Sequence, residues 1–156
     1  MIALAHAPIS PGQGHEMGRT LLRQLYLAHR GGDMPPIICE ERGKPRFAGS
    51  DLHFSITHTP HHVFCALSDR PIGIDAEEED RKLSLRIAKK ILSPTELAQF
   101  EAADDPHRAL LTFWVLKEAA AKQTGHGINS NPNTTAFSLH DPRVQPTEGC
   151  LLAIIE

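Results

Sequence analysis

The chain has 156 residues, 40% of them hydrophobic and 22% charged, which suits one domain with a single core and excludes a wholly disordered protein. Its formal net charge of −3 at pH 7 argues against a general nucleic-acid-binding protein, which would be strongly basic. Three widely separated cysteines indicate a reducing compartment, and the longest apolar runs are far below the roughly 20 residues needed to cross a bilayer, so we expect a cytoplasmic protein with neither nucleic-acid nor membrane partners.

Apolar spacing in the first half of the chain predicts several short strands and one helix. A strand is expected over residues 2–6, and a helix from about residue 15 to residue 29, where a Gly-Gly pair ends it. Further strands are predicted at four short runs: residues 37–39, 52–57, 63–67 and 72–76. The last three lie close enough in sequence to pair as an antiparallel meander.

The second half of the chain predicts three helices. Residues 83–91 have helical spacing. Ser93, followed by a proline and then by Glu96, has the pattern of a capping box and begins a second helix that runs to Phe100. An Asp-Pro pair at Asp105 begins a long third helix, which a Gly-His-Gly sequence ends.

The tail predicts two strands, over residues 134–139 and 150–155, with a turn-rich stretch between them. Strands that are followed by helices and then by strands again indicate an α+β fold rather than a parallel α/β sheet.

Two acidic residues stand out in and beside the predicted strand at residues 72–76. Asp75 and Glu77 would project from the same face, because side chains repeat every two residues in a strand. Adjacent carboxylates repel unless a cation lies between them, and Mg²⁺ typically takes one or two carboxylates together with phosphate oxygens. The same residues also fit a solvated acidic turn that ends a strand.

The long helix contains a second pair of charged residues. Glu118 and Lys122 are four residues apart and therefore share one helix face. They could complete a metal site and reach a phosphate, or form an ordinary surface ion pair. Trp114 lies one turn before Glu118, where a core position is the commoner role.

Histidines and cations near the predicted strands offer two more candidates. Thr57 and His58 supply a hydroxyl and an imidazole at a strand end, where they could bind phosphate or assist proton transfer. His58 also belongs to a histidine cluster that could suggest zinc, although its spacing is not that of a helical zinc motif; the cluster is His53, His58, His61 and His62. Lys44 and Arg46 flank a proline in a turn that fits either a phosphate contact or a solvated loop.

Taken in order, these segments resemble the 4′-phosphopantetheinyl transferase family. The matching motifs span about residues 43–125 and are Gly43-Lys44-Pro45, Thr57-His58, Gly73-Ile74-Asp75-Ala76-Glu77 and the helix from Trp114 through Lys117-Glu118 to Lys122. The resemblance implies an α+β fold with a three-stranded antiparallel sheet packed on a long helix, preceded by an N-terminal helix. Residues 1–156 would form one such domain, with residues 1–42 as an N-terminal strand and helix extension.

The resemblance also implies a reaction and roles for individual residues. The family moves 4′-phosphopantetheine from coenzyme A to a serine of an acyl or peptidyl carrier protein. By carry-over, Mg²⁺ would be held by Asp75, Glu77 and Glu118. Glu118 would be the candidate base, acting with Lys122 and His58 in catalysis. Coenzyme A would be bound by Lys44, Arg46, Thr57, His58 and Lys122.

Two departures from the family pattern qualify these expectations. Thr57 stands where the family has serine, which keeps the hydroxyl and adds a methyl group. Only about 40 residues precede Gly43, whereas the larger members have two similar halves with the active site between them. We therefore expect a homo-oligomer, a dimer or trimer, whose interface rebuilds the cleft, with the helix around residues 15–29 covering part of it. The alternatives to the transferase are a non-catalytic module that binds coenzyme A or a carrier protein, and a zinc-dependent hydrolase.

Overall fold

The structure is a computed structural model that describes residues 1–39, 43–127 and 135–156. Helices and antiparallel strands both occur, as the α+β class predicts. In chain order the elements are β1 (Ile2–Pro8), α1 (Gly14–Arg30), β2 (Ile37–Cys39), β3 (Pro45–Phe47), β4 (His53–His58), β5 (His62–Ser68), β6 (Gly73–Glu78), a 3₁₀ turn (Leu85–Ile87), α2 (Ala88–Ile91), α3 (Pro94–Glu101), α4 (Pro106–Thr124), β7 (Val144–Thr147) and β8 (Cys150–Ile155).

The first sheet has the strand order β1-β5-β4, with both pairs antiparallel. Its central strand β5 is apolar and buried on both faces, because one face packs under α1 and the other packs against the second sheet. Helix α1 contributes Leu21, Leu22 and Tyr26 to the first of these cores. The strands predicted at residues 2–6 and 37–39 and the helix predicted at residues 15–29 are confirmed.

The second sheet has the strand order β6-β8-β7, and one of its faces packs against the long helix α4. The predicted meander is therefore wrong in its third strand, since β6 pairs with β8 and not with β5. Strand β4 meets β6 through side chains instead: the Ser55 Oγ accepts a hydrogen bond from the Ile74 N–H at 3.0 Å, and the Thr57 Oγ1 accepts one from the Ala76 N–H at 3.4 Å. Hydroxyl groups thus satisfy the edge of β6 that a neighbouring strand would otherwise pair with.

The strand predicted at residues 134–139 is also wrong for the part that the structure describes, residues 135–139; Thr134 lies outside the described residues. Side chains of α3 accept hydrogen bonds from backbone N–H groups in this segment, which would otherwise donate to a neighbouring strand. The Phe137 N–H donates to the Glu96 Oε1 at 2.8 Å, and the Leu139 N–H donates to the Gln99 Oε1 at 2.8 Å.

Helix α3 begins with the predicted capping box, in which the Glu96 N–H donates to the Ser93 Oγ and the Ser93 N–H donates to the Glu96 Oε2. The same Glu96 carboxylate forms an ion pair with the Lys117 Nζ at 2.8 Å, and the two side chains are 0% and 2% exposed. One buried pair therefore joins α3 to α4. In residues 1–39, 43–127 and 135–156, no helix has both the length and the hydropathy to cross a membrane.

We predict that Lys117→Met lowers the free energy of unfolding by about 3–5 kcal/mol, because it leaves the buried Glu96 carboxylate without its cation. Urea denaturation followed by circular dichroism measures the change. The matched control is Lys89→Met, at an exposed position, which should change stability by no more than about 0.5 kcal/mol. A loss below about 1 kcal/mol for Lys117→Met, the size expected of a surface pair, would contradict the prediction.

Candidate active site

The candidate site forms where strand β6 lies directly on helix α4. A Cβ at Gly73 would come within 2.0 Å of the Ala119 carbonyl oxygen, so only a glycine allows the strand and the helix to approach this closely. Two residues further along β6, the Asp75 Oδ1 contacts the Lys122 Nζ at 2.7 Å. The predicted strand carboxylate and the predicted helix lysine are thus brought together.

Asp75 is held in an asymmetric environment. Its side chain is buried, and its Oδ1 accepts hydrogen bonds from the Lys122 Nζ and from the Thr57 Oγ1, the latter at 3.2 Å. Its Oδ2 is buried without a hydrogen-bond partner among the described residues. Burial raises the pKa of the Asp75 carboxyl above its ordinary value, and the Lys122 charge opposes that rise.

Glu118 shares this acidic environment from the helix side. Burial raises the pKa of the Glu118 carboxyl, and the negative charges of Asp75 and Glu77 raise it further. Glu77 in turn pairs with Arg81, which follows it by four residues. The three predicted carboxylates are therefore close enough to interact electrostatically, and two of them, Asp75 and Glu77, form ion pairs with Lys122 and Arg81.

No cluster of three metal-ligating side chains is present in the parts of the chain that the structure describes. Within residues 1–39, 43–127 and 135–156, no three His, Cys, Asp or Glu side chains lie close enough together to hold a metal ion. This applies equally to the carboxylates and to the histidine cluster considered for zinc. The donor set and the unpartnered, buried Asp75 Oδ2 nevertheless fit a hard cation such as Mg²⁺, which prefers carboxylate oxygens.

A cavity of about 450 Å³ opens beside these residues. Helices α1 and α4, strand β4 and the turn before β3 enclose it. Its polar and charged lining side chains are His15, Arg19, Lys44, Ser55, His58, Glu118 and Lys122. The cavity thus gathers four of the predicted site residues, with cationic groups on several sides.

Helix α1 supplies two lining residues that the sequence reasoning missed. His15 and Arg19 are four residues apart and so share a helix face, which is the one signal that could have identified them. Gly14 allows this end of α1 to reach the site, because a Cβ there would lie 2.4 Å from the His58 ring. Helix α1 thus lines one side of this cavity within a single chain.

Three predicted residues take other positions. Arg46 lines a neighbouring cavity of about 510 Å³, which it shares with Lys44. Glu77 lines another, of about 590 Å³, together with His58. Thr57 lines none of these cavities and has its hydroxyl engaged with Asp75. Trp114 packs against the core, as its helical position predicts.

We predict that Glu118→Gln stabilises the folded chain at pH values above the raised pKa of Glu118. At those pH values, wild-type Glu118 carries a charge that is unfavourable in the folded state, and the glutamine amide carries none. The advantage should disappear as the pH falls below the ordinary value of 4.5, because protonation then neutralises the glutamate in both states. Urea midpoints at pH 7.5 and pH 4, measured with EDTA, test this. Asp104→Asn, at an exposed loop position, is the control, and an equal stability difference at both pH values for Glu118→Gln would refute the prediction.

The comparisons with known proteins point to one family. The model of the 4′-phosphopantetheinyl transferase superfamily matches residues 71–153. The 4′-phosphopantetheinyl transferase Sfp of Bacillus subtilis is 36% identical over 104 residues, which are 65% of this chain and 46% of that protein. The 4′-phosphopantetheinyl transferase AcpT of Escherichia coli O157:H7 is 34% identical over 134 residues, which are 78% of this chain and 68% of that protein.

A third relative, the 4′-phosphopantetheinyl transferase HetI of Nostoc sp., is 35% identical over 122 residues, which are 71% of this chain and 51% of that protein. This chain spans about half the length of several curated relatives that it matches, and about two thirds of AcpT. The matched region includes β6 and α4, the two elements that form the candidate site. The chain belongs to the 4′-phosphopantetheinyl transferase superfamily.

Proposed function

We propose that the chain transfers 4′-phosphopantetheine from coenzyme A to a serine of an acyl or peptidyl carrier protein. The observation that supports this most directly is the cationic cavity that adjoins the Asp75–Lys122 contact. A donor with a pyrophosphate and a further phosphate needs several cations around it, and phosphoryl-type transfer depends on positioning and charge stabilisation more than on covalent help from the protein.

In this proposal, the cavity receives the phosphates of coenzyme A. Lys122 and Lys44 approach from the α4 side and the turn before β3, while His15 and Arg19 approach from α1. Arginine and lysine both bind phosphate oxygens through charge-assisted hydrogen bonds. The Lys44 Nζ already donates to the Gln123 carbonyl oxygen, so its side chain is held across the end of α4.

The carboxylates supply the second part of the proposed site, in which Asp75, Glu77 and Glu118 would hold Mg²⁺. Its chemistry there would be to neutralise charge on the donor pyrophosphate. In the structure, Lys122 and Arg81 each form an ion pair with one of these carboxylates, Asp75 and Glu77 respectively. Both cations would therefore have to share or leave their partners when the site fills, and Lys122 would then be available to a phosphate.

Glu118 is the proposed base. Its position on the wall of the cavity that would receive the donor phosphates supports this role. The carrier serine Oγ would attack the phosphorus that bears the pantetheine group and form a new P–O bond. Glu118 would take the serine proton, and the pyrophosphate P–O bond would break to release adenosine 3′,5′-bisphosphate.

We predict that Asp75→Asn and Glu118→Gln each lower the transfer rate at least about 100-fold, because each removes a charge that the proposed chemistry requires. The assay incubates an apo carrier protein with coenzyme A and Mg²⁺ and follows the mass gain of the carrier. Asp104→Asn, away from the site, should keep wild-type activity. EDTA should abolish transfer by the wild-type protein. Wild-type protein that binds coenzyme A but modifies none of a panel of carriers would favour the non-catalytic alternative.

We also propose that the chain is a cytoplasmic homo-oligomer, a dimer or trimer, whose interface completes the cleft. Light scattering on a size-exclusion column should then give a multiple of 17.2 kDa. A particle of one chain mass in a preparation that is active in the transfer assay would refute this. The measurement is independent of the site variants and so tests assembly separately from chemistry.

A further inference from the structure

The hydroxyl of Thr57 is committed to strand β6. Thr57 lies on β4 and is 5% exposed. Its Oγ1 donates to the Asp75 Oδ1 at 3.2 Å and accepts from the Ala76 N–H at 3.4 Å. A hydroxyl has one proton to donate, so Thr57 has no remaining donor for a phosphate oxygen while it contacts Asp75.

The two carboxylate oxygens of Asp75 therefore have different hydrogen-bonding environments. Oδ1 receives two donors, from Thr57 and Lys122, whereas Oδ2 is buried and has no partner among the described residues. A buried polar atom without a partner is rare and costly, and it persists where a ligand completes it. The Thr57 contact thus holds the carboxylate group in an orientation that leaves Oδ2 without a hydrogen bond.

We propose that Thr57 is a positioning residue for Asp75 and not a contact for coenzyme A: its hydroxyl holds Oδ1 and leaves Oδ2 for the divalent cation. This inference rests on the proposed function, because it assumes a cation at Asp75. It also reverses the role that the family resemblance implies for this position. The added methyl group of threonine supports positioning, since a β-branched side chain on a strand has restricted χ1 freedom and holds its hydroxyl in one direction.

The test compares cation affinity with coenzyme A affinity in matched variants. Thr57→Val keeps the shape and removes the hydroxyl, whereas Thr57→Ser keeps the hydroxyl. Electron paramagnetic resonance with Mn²⁺ should show an affinity reduced about 10- to 100-fold for Thr57→Val, the usual effect of losing a group that orients a metal ligand. Thr57→Ser should remain within about threefold of wild type. Thr112→Val is the control, because it makes the same change at a buried threonine of α4 whose hydroxyl donates to the Arg108 carbonyl oxygen, outside the candidate site.

Coenzyme A binding in EDTA separates the two roles of Thr57. Calorimetry should give equal affinities for wild type and Thr57→Val if the hydroxyl acts on Asp75 alone. A fall of more than fivefold for Thr57→Val would show a direct coenzyme A contact and overturn the inference. Should Thr57→Val fail to show a cooperative thermal transition, Thr57→Ala, which introduces no new contacts, replaces it with the same expected results.

The remaining outcomes distinguish this inference from the proposed function. Wild-type protein that binds Mn²⁺ and coenzyme A, together with a Thr57→Val variant of unchanged Mn²⁺ affinity, would overturn the positioning role and leave the transferase proposal in place. Wild-type protein that binds neither probe would overturn both.

Discussion

The contact between the Asp75 Oδ1 and the Lys122 Nζ, 2.7 Å apart, is the interaction on which the candidate site depends. It exists because β6 lies on α4 with no side chain between them at Gly73. The same close approach places Asp75 near Glu118, so burial raises the pKa of both carboxyl groups and the Asp75 charge raises that of Glu118 further.

The site also depends on how the two sheets meet. Strands β4 and β6 form no backbone ladder, and the hydroxyls of Ser55 and Thr57 bridge them instead. Between the two sheets, Phe64 of β5 and Ile74 of β6 pack in one shared hydrophobic core, which holds the sheets against each other. The cavity lies beside the contact between β4 and β6. Its lining includes residues of α1, which packs on the first sheet, and of α4, which packs on the second. Neither half of the fold could form it alone.

Local features of this fold were predictable, and long-range pairings were not. The capping box at Ser93 and the left-handed Gly125 that ends α4 are fixed by a few neighbouring residues, so sequence spacing identifies them. The pairing of β6 with β8 joins segments about 75 residues apart, and nothing within β6 specifies that partner. The strand predicted at residues 134–139 does not form over residues 135–139, because the Phe137 and Leu139 N–H groups donate to side chains of α3, which are about 40 residues away in the sequence. The motif order predicted residues on β4, β6 and α4 that the fold brings together, but it did not identify His15 and Arg19 on the α1 side of the cavity.

Helix α4 shows how one short motif can combine structure with chemistry. Lys117 and Glu118 are adjacent, and successive residues of a helix point about 100° apart, so the two side chains face different surroundings. Lys117 enters the core and pairs with Glu96, which also binds the Phe137 N–H. Glu118 faces the cavity, and Lys122, one turn later, shares its side of the helix. In this fold, the Lys117–Glu96 pair joins α4 to α3 on the core side of the helix while Glu118 and Lys122 face the cavity, so a single rotation of α4 about its axis serves both the packing and the site.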